Sequence, residues 1–138
     1  RYDGLMETLG GSDLSGIGFG LGIDRILLAM RAEEVLPSDL GYIDLYIIGL
    51  GEKGRARGFE ALSEVRSAGF VADFAFGDRA LKGAMKGADR LGARFVMVIG
   101  DDEVASNTVE IKKMSTGVAS SVTLSSLVAA LSKLVSDN

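Results

Sequence analysis

From Ile43 onward the hydrophobic pattern switches repeatedly between a repeat of two and a helical repeat of about 3.6, and each switch marks a predicted element. Ile43 to Leu50 is an apolar run broken only at Asp44, as expected of a strand covered on both faces. Lys53 to Ala68 predicts a helix with Phe59, Leu62 and Val65 on its buried side and Gly69 as its stop. Phe70 to Phe76 predicts a second strand. Asp78 stands where it can cap a second helix, Arg79 to Leu91, which ends at Gly92. Arg94 to Gly100 predicts a third strand, with Phe95, Val96, Val98 and Ile99 as its apolar bulk. This βαβαβ order implies a parallel sheet. Thr108 to Lys113 then alternates as an exposed-edge strand does, and Gly117 to Ser121 is its hairpin partner. Thr123 is placed to cap a last helix, on which Leu124, Leu127, Val128, Leu131 and Leu134 form one stripe. The expectation for residues 41–138 is an α/β domain with a mixed sheet of about five strands and three helices.

The first 36 residues follow a different pattern. Residues 1–9 predict a short helix, Ser12 to Gly22 a turn and then a strand, and Ile23 to Glu34 an amphipathic helix with Ile23, Ile26, Leu27 and Met30 on one side. Pro37-Ser38-Asp39 breaks the pattern, so the chain is divided into segments 1–36 and 41–138. Within the first segment, Gly18-Phe19-Gly20-Leu21-Gly22-Ile23-Asp24-Arg25 runs a glycine-spaced apolar strand into a helix start bearing an acid and an arginine. Glycines leave room for a flat ligand against the strand, and Arg25 can reach phosphates. A tightly packed strand-to-helix turn would explain the same glycines.

Composition narrows the chemistry. At 138 residues, 47% hydrophobic and 25% charged, the chain has ordinary globular usage and enough length to bury a core. It has no cysteine and no histidine, which excludes disulfides, thiolate nucleophiles and histidine-based catalysis or zinc binding in these residues. No apolar run approaches the roughly 20 residues a membrane helix needs. The net charge of −4 belongs entirely to residues 1–39, and residues 40–138 are neutral. Any contact with a polyanion should therefore be local rather than driven by bulk charge.

Three passages in the second segment carry candidate chemistry. Gly49-Leu50-Gly51-Glu52-Lys53-Gly54 fits G-x-G-x-x-G between a predicted strand and helix, with Asp73 near the end of the next strand, which is the textual fingerprint of a dinucleotide-binding module. Against that, the third glycine precedes a basic, exposed helix start, and the domain lacks a second mononucleotide half. On the next helix, Arg79, Lys82, Lys86 and Arg90 recur at spacings that put all four on one face. That face begins at the carboxyl end of the second strand, beside the basic residues of the first loop, where ligands of open parallel sheets gather. Arg79 and Lys82 are assigned to phosphates and Arg90 to surface solubility. Phe74 is assigned to the core, Phe76 is left open, and Asp101-Asp102-Glu103 is read as an exposed strand-to-turn segment rather than a metal site.

The octet resembles the third signature motif of class II aminoacyl-tRNA synthetases. Arg1-Tyr2-Asp3-Gly4-Leu5 resembles the end of the Gly-Gly-Arg-Tyr-Asp-Gly-Leu motif of histidyl-tRNA synthetases, and its spacing to the octet through Gly10-Gly11-Ser12-Asp13 is similar. Residues beyond about 41 resemble the carboxy-terminal anticodon-binding domain of the same family. The resemblance implies that Tyr2 lines a histidine pocket and that Arg25 holds ATP phosphates as the catalytic arginine. It further implies that Gly20 and Gly22 lie beneath the nucleotide and that Arg1 and Asp3 support the loop. Asp24 stands in place of the commoner glutamate. The resemblance also implies that Glu52, Lys53, Arg55, Arg57, Arg79 and Lys82 meet tRNA(His) at the anticodon stem-loop. The parent enzyme would use ATP and Mg2+ to join histidine to tRNA, as a cytoplasmic homodimer. A chain limited to these residues, beginning inside a motif, is expected to lack both cofactors and activity of its own. A dinucleotide-binding module, or a synthetase-like regulatory subunit of ATP phosphoribosyltransferase, is the alternative; the latter generally lacks a complete anticodon-like domain, so residues 41–136 argue against it.

Overall fold

Seven residues of almost unbroken apolar character, Ile43–Gly49, form β1, the strand around which the larger part of the chain is organised. A computed structural model describes residues 1–36, 41–77 and 80–136, and the chain divides into two compact units, Arg1–Asp39 and Leu40–Asn138. In the second unit, α3 (Gly51–Ser67) links β1 to β2 (Ala72–Phe74), and α4 (Leu81–Arg90) links β2 to β3 (Ala93–Ile99). A short α5 (Asp101–Ser106) leads to β4 (Thr108–Lys113), which turns into β5 (Ala119–Thr123). A 3-10 turn, Leu124–Ser126, then enters α6 (Leu127–Ser136). The five strands lie in the order β2-β1-β3-β4-β5, with β1, β2 and β3 parallel and β4 and β5 antiparallel. This is the mixed five-stranded sheet expected from the pattern.

Both faces of the parallel half are covered. On one, Leu45, Ile47, Phe95, Met97 and Ile99 pack with Val65 of α3 and with Leu127 and Leu131 of α6. On the other, Tyr46, Ile48 and Val96 pack with Ala84 and Ala88 of α4. Double coverage is why β1 reads as a continuous apolar run. The one polar interruption, Asp44, is 5% exposed and fully engaged. Its carboxylate accepts from Arg94 Nη1 at 2.9 Å and from the Val71 amide at 3.1 Å, while Arg94 Nη2 donates to the Val135 carbonyl at 3.3 Å.

Several local expectations are corrected. Phe59 is exposed, because α3 approaches the sheet on a stripe of small residues, Gly54, Gly58 and Ala61, extended by Leu62 and Val65. A Cβ at Gly54 would lie 2.4 Å from the Ile99 carbonyl oxygen, and one at Gly58 would lie 2.8 Å from the Phe74 ring. The third glycine of the G-x-G-x-x-G run is therefore buried by close packing, while Lys53 and Arg55 on either side of it are exposed. β4 is an interior strand, and its alternation reflects Val109 and Ile111 buried on one face with Glu110 and Lys112 on the other. Asp101-Asp102-Glu103 opens a helix rather than a turn, so the unit has four α-helices among its described residues instead of three. Three acids in a first turn suit the positive end of a helix, and the Gly100 amide donates to Glu103 Oε2 at 2.8 Å. Thr123 makes no side-chain cap; its hydroxyl meets that of Ser126 at 2.7 Å. β2 shortens to three residues at the sheet edge. Phe74 is buried as expected, with exposed Phe76 packed edge-on to it at 6.0 Å. The proposed Asp78 cap and the Pro37-Ser38-Asp39 break lie outside the described residues.

The first unit holds α1 (Leu5–Thr8) and α2 (Ile23–Ala32). The predicted strand through Gly22 is absent among its described residues; one bridge remains, in which the Tyr2 amide donates to the Gly16 carbonyl at 2.9 Å. A strand needs a neighbour to satisfy its backbone, and this unit offers none to Gly18–Gly22. Its apolar side chains are correspondingly bare: Phe19 is 90% exposed, Ile17 87% and Leu21 70%.

Candidate functional site

The carboxyl ends of β1 and β3 lie side by side, and α3 and α5 start from them at Gly51 and Asp101. At the carboxyl ends of parallel strands an α/β sheet can rest a pyrophosphate on a helix N-terminus. Here that position is acidic. A Cβ at Gly51 would lie 3.3 Å from Asp101 Oδ1, and Glu52 follows immediately. Carboxylates already complement the α3 dipole there, and they repel a phosphate. Asp73, the residue that would hold a ribose, instead accepts from the Phe74 amide at 2.8 Å and faces Arg66 Nη2 at 3.8 Å. The motif's glycines thus serve helix-to-sheet packing, and the geometry disfavours a dinucleotide.

The basic residues differ in exposure and in pairing. Arg57 is 21% exposed and pairs with Glu64 at 3.1 Å and Glu60 at 3.7 Å, so it holds α3's own surface together. Glu52, Lys53 and Arg55 are exposed in the first turns of α3. On α4, Lys82, Lys86 and Arg90 are all exposed, and among the described residues none of the three forms an ion pair. Arg79 lies outside the described residues. Lys86 and Arg90 line a notch together with Gly83 and Gly87.

A larger groove, about 390 Å³, runs between α4 and the antiparallel half of the sheet. Leu81 and Met85 form one wall, Val96 and Val98 the floor, and Glu110 and Lys112 rise from β4. Glu103 closes one end, positioned by its bond to the Gly100 amide. The sequence reading passed over this groove, although the alternation of β4 had already put Glu110 and Lys112 together on the face opposite Val109 and Ile111.

In the first unit, Tyr2 is 53% exposed, and its ring lies against Gly18, where a Cβ would come within 3.1 Å of it. Arg1 and Asp3 pair with each other at 3.0 Å. The Arg25 stem passes 3.6 Å from the Cβ position of Gly22, while Gly20 has nothing within 4 Å. Asp24 is exposed. A flat group could lie on the open side of Gly20, yet these residues form one edge and not an enclosure. Among the described residues no group of three carboxylate, histidine or cysteine side chains could hold a metal ion.

Residues 44–134 match a family model described as the anticodon binding domain. The chain belongs to the anticodon binding domain family. The chain is similar to the histidine–tRNA ligase of Mycolicibacterium vanbaalenii, 50% identical over 129 residues that make up 94% of this chain and 31% of that protein. It is 47% identical over 137 residues to the ligase of Corynebacterium jeikeium, covering 99% of this chain and 31% of the relative. Among solved structures, apo S. aureus histidyl-tRNA synthetase superposes with a TM-score of 0.65 at 39% identity, over 94% of this chain and 33% of that one. The chain thus spans about a third of the length of the curated relatives it matches. Neither the dinucleotide-binding module nor the regulatory subunit is favoured by these likenesses. Among the described residues, no helix is long and apolar enough to cross a membrane.

Proposed function

We propose that this chain is the tRNA(His) anticodon-binding portion of a histidine–tRNA ligase. Residues 41–138 form the anticodon-binding domain, and residues 1–36 are the motif 3 edge of the catalytic domain. The observation that carries the reading is the anticodon-binding match over residues 44–134, joined to 50% identity with a histidine–tRNA ligase that runs through both segments. The parent enzyme activates histidine with ATP and Mg2+ and transfers it to tRNA, as a cytoplasmic homodimer. Tyr2, Gly20, Gly22 and Arg25 contribute one side of that pocket, and the remaining walls and the metal ligands come from the rest of the catalytic domain. The exposed Ile17, Phe19 and Leu21 support this division, since an apolar strand edge of this kind fits a sheet supplied by another part of the enzyme. The residues held here bind and orient; alone they do not aminoacylate.

RNA meets the second unit along α4 and the adjoining loop. Lys82, Lys86 and Arg90, with Arg79 three residues earlier in the sequence, present cations to successive phosphates, and Lys53 and Arg55 extend the basic surface at the start of α3, beside Glu52. Arg57, occupied by Glu60 and Glu64, contributes indirectly by holding α3. Binding through three or four phosphates makes affinity fall steeply with salt. Titrating a histidine-tRNA anticodon stem-loop against the wild-type chain and against Arg79→Ala/Lys82→Ala tests the basic face. The double variant should bind about tenfold or more weakly and show a shallower salt dependence. An affinity unchanged by the two substitutions removes this face from the interface.

A further inference from the structure

We propose that Arg66 and Asp73 hold the free edge of the sheet closed, and that this edge, once opened, pairs with the same edge of a second copy of this chain. β2 is the outermost strand on its side of the sheet among the described residues, bonded to β1. The Val71 carbonyl accepts from the amides of Asp44 and Leu45, and the Ala75 amide donates to the Ile47 carbonyl at 2.9 Å, so residues 71 and 75 turn these groups toward β1. Alternation along the strand turns Asp73 the same way and sends the amides and carbonyls of Ala72 and Phe74 outward. An edge of that kind is a template for another strand. The sequence around it favours such an addition: Phe70-Val71-Ala72-Asp73-Phe74-Ala75-Phe76 is apolar, has neither proline nor glycine, and carries Asp73 as its only charge.

Side chains already occupy one outward donor and one outward acceptor. Arg66 Nε donates to the Ala72 carbonyl at 2.9 Å, and the Phe74 amide donates to Asp73 Oδ1 at 2.8 Å. Arg66 Nη2 stands 3.8 Å from that same carboxylate oxygen, so the two side chains act on the edge together. These are the groups an incoming copy would need. In a two-fold antiparallel pairing centred on residue 73, the Phe74 amide of each copy donates to the Ala72 carbonyl of the other. The same register sets the two Asp73 side chains directly opposite each other, where like charges are destabilising. Asp73 therefore opposes the pairing twice, through the amide it occupies and through its charge, and Arg66 opposes it once.

The chain has no cysteine, so one introduced thiol reports its own position. Arg66→Ala/Asp73→Cys removes both side chains from the edge, and in the paired register the Cα atoms at position 73 lie about 4.5 Å apart, within disulfide range. The whole chain is incubated with oxidised glutathione, and covalent dimer is followed on non-reducing gels beside Arg66→Ala/Asp102→Cys, whose thiol sits at an exposed position of α5. Dimer should form at least tenfold faster through position 73 than through position 102. With Arg66 kept, Asp73→Cys should fall between the two. Equal rates at positions 73 and 102 overturn the proposal, because association through the bare apolar side chains of the first unit would not single out position 73. Urea unfolding followed by circular dichroism shows whether each variant is folded. If Arg66→Ala/Asp73→Cys does not unfold cooperatively, Asp73→Cys against Asp102→Cys, both with Arg66 kept, decides by the same comparison: a faster rate at position 73 supports the closed edge, and an equal rate refutes it.

Discussion

Gly54 and Gly83 both lie inside helices of the second unit, and the structure predicts opposite consequences for the same substitution at each. Gly54 is in the first turns of α3, and an added methyl there would meet the Ile99 carbonyl oxygen at 2.4 Å and the Gly100 Cα at 2.9 Å. Both are backbone atoms, so no side chain can turn aside; α3 must withdraw by about 1 Å to restore ordinary contact. Forcing a methyl into such a site typically costs about 1–3 kcal/mol, and a backbone neighbour puts this case at the upper end. Replacing a helical glycine by alanine returns about 1 kcal/mol of propensity. Gly54→Ala should therefore lose about 2 kcal/mol net, lowering the melting temperature by roughly 10 °C for a unit of this size. Gly83, in α4, has nothing within 4 Å, so Gly83→Ala keeps only the propensity gain and should stabilise by about 0.5–1 kcal/mol. Urea denaturation followed by far-ultraviolet circular dichroism measures both. A Gly54→Ala protein as stable as the Gly83→Ala protein would refute the claim that α3 lies directly on the β3 backbone.

Other substitutions probe separate parts of the account. Leu131→Ala empties a fully buried position between α6 and the sheet and should cost about 2–5 kcal/mol in the same denaturation assay. Asp44→Ala leaves the Val71 amide and the Arg94 guanidinium without their acceptor and should cost about 3 kcal/mol, whereas Asp44→Asn keeps one acceptor and should cost about half as much. Ile17→Ser/Phe19→Ser removes two of the barest apolar side chains; it should reduce binding of an apolar fluorescent dye yet move the second unit's unfolding midpoint by less than about 0.5 kcal/mol.

Legibility of the sequence differed from element to element for physical reasons. β1, β3 and α6 were legible because their apolar repeats are long, and a doubly covered strand has little polar face to confuse it; β4 was legible as a strand from its alternation, which does not distinguish an interior strand with one polar face from an edge. Phe59 misled because an aromatic residue suggests burial, whereas α3 uses Gly54, Gly58 and Ala61 to come close to the strands, and closeness rather than hydrophobicity decides which face is inside. The acids at 101–103 open a helix of six residues, too short to show a period, and their service to its N-terminus resembles a turn in sequence. The strand at Gly18–Gly22 has the right composition but no partner within its unit, and no sequence supplies its own neighbour. For the candidate site, the cationic row on α4 was legible from spacing alone. The occupation of Arg57 by Glu60 and Glu64 was not, because it depends on which rotamers meet across two helical turns. The groove beside β4 required the pairing order of the sheet, which places Glu110 and Lys112 next to α4 rather than at a free edge.

The central claim is that this domain discriminates among transfer RNAs at the anticodon. Its most direct measurement is the dissociation constant of the chain for a tRNA(His) transcript and for the same transcript with only its anticodon replaced, at one fixed salt concentration. The account predicts that the replacement weakens binding at least tenfold, about 1.4 kcal/mol or more. Equal affinity for the two transcripts would contradict it.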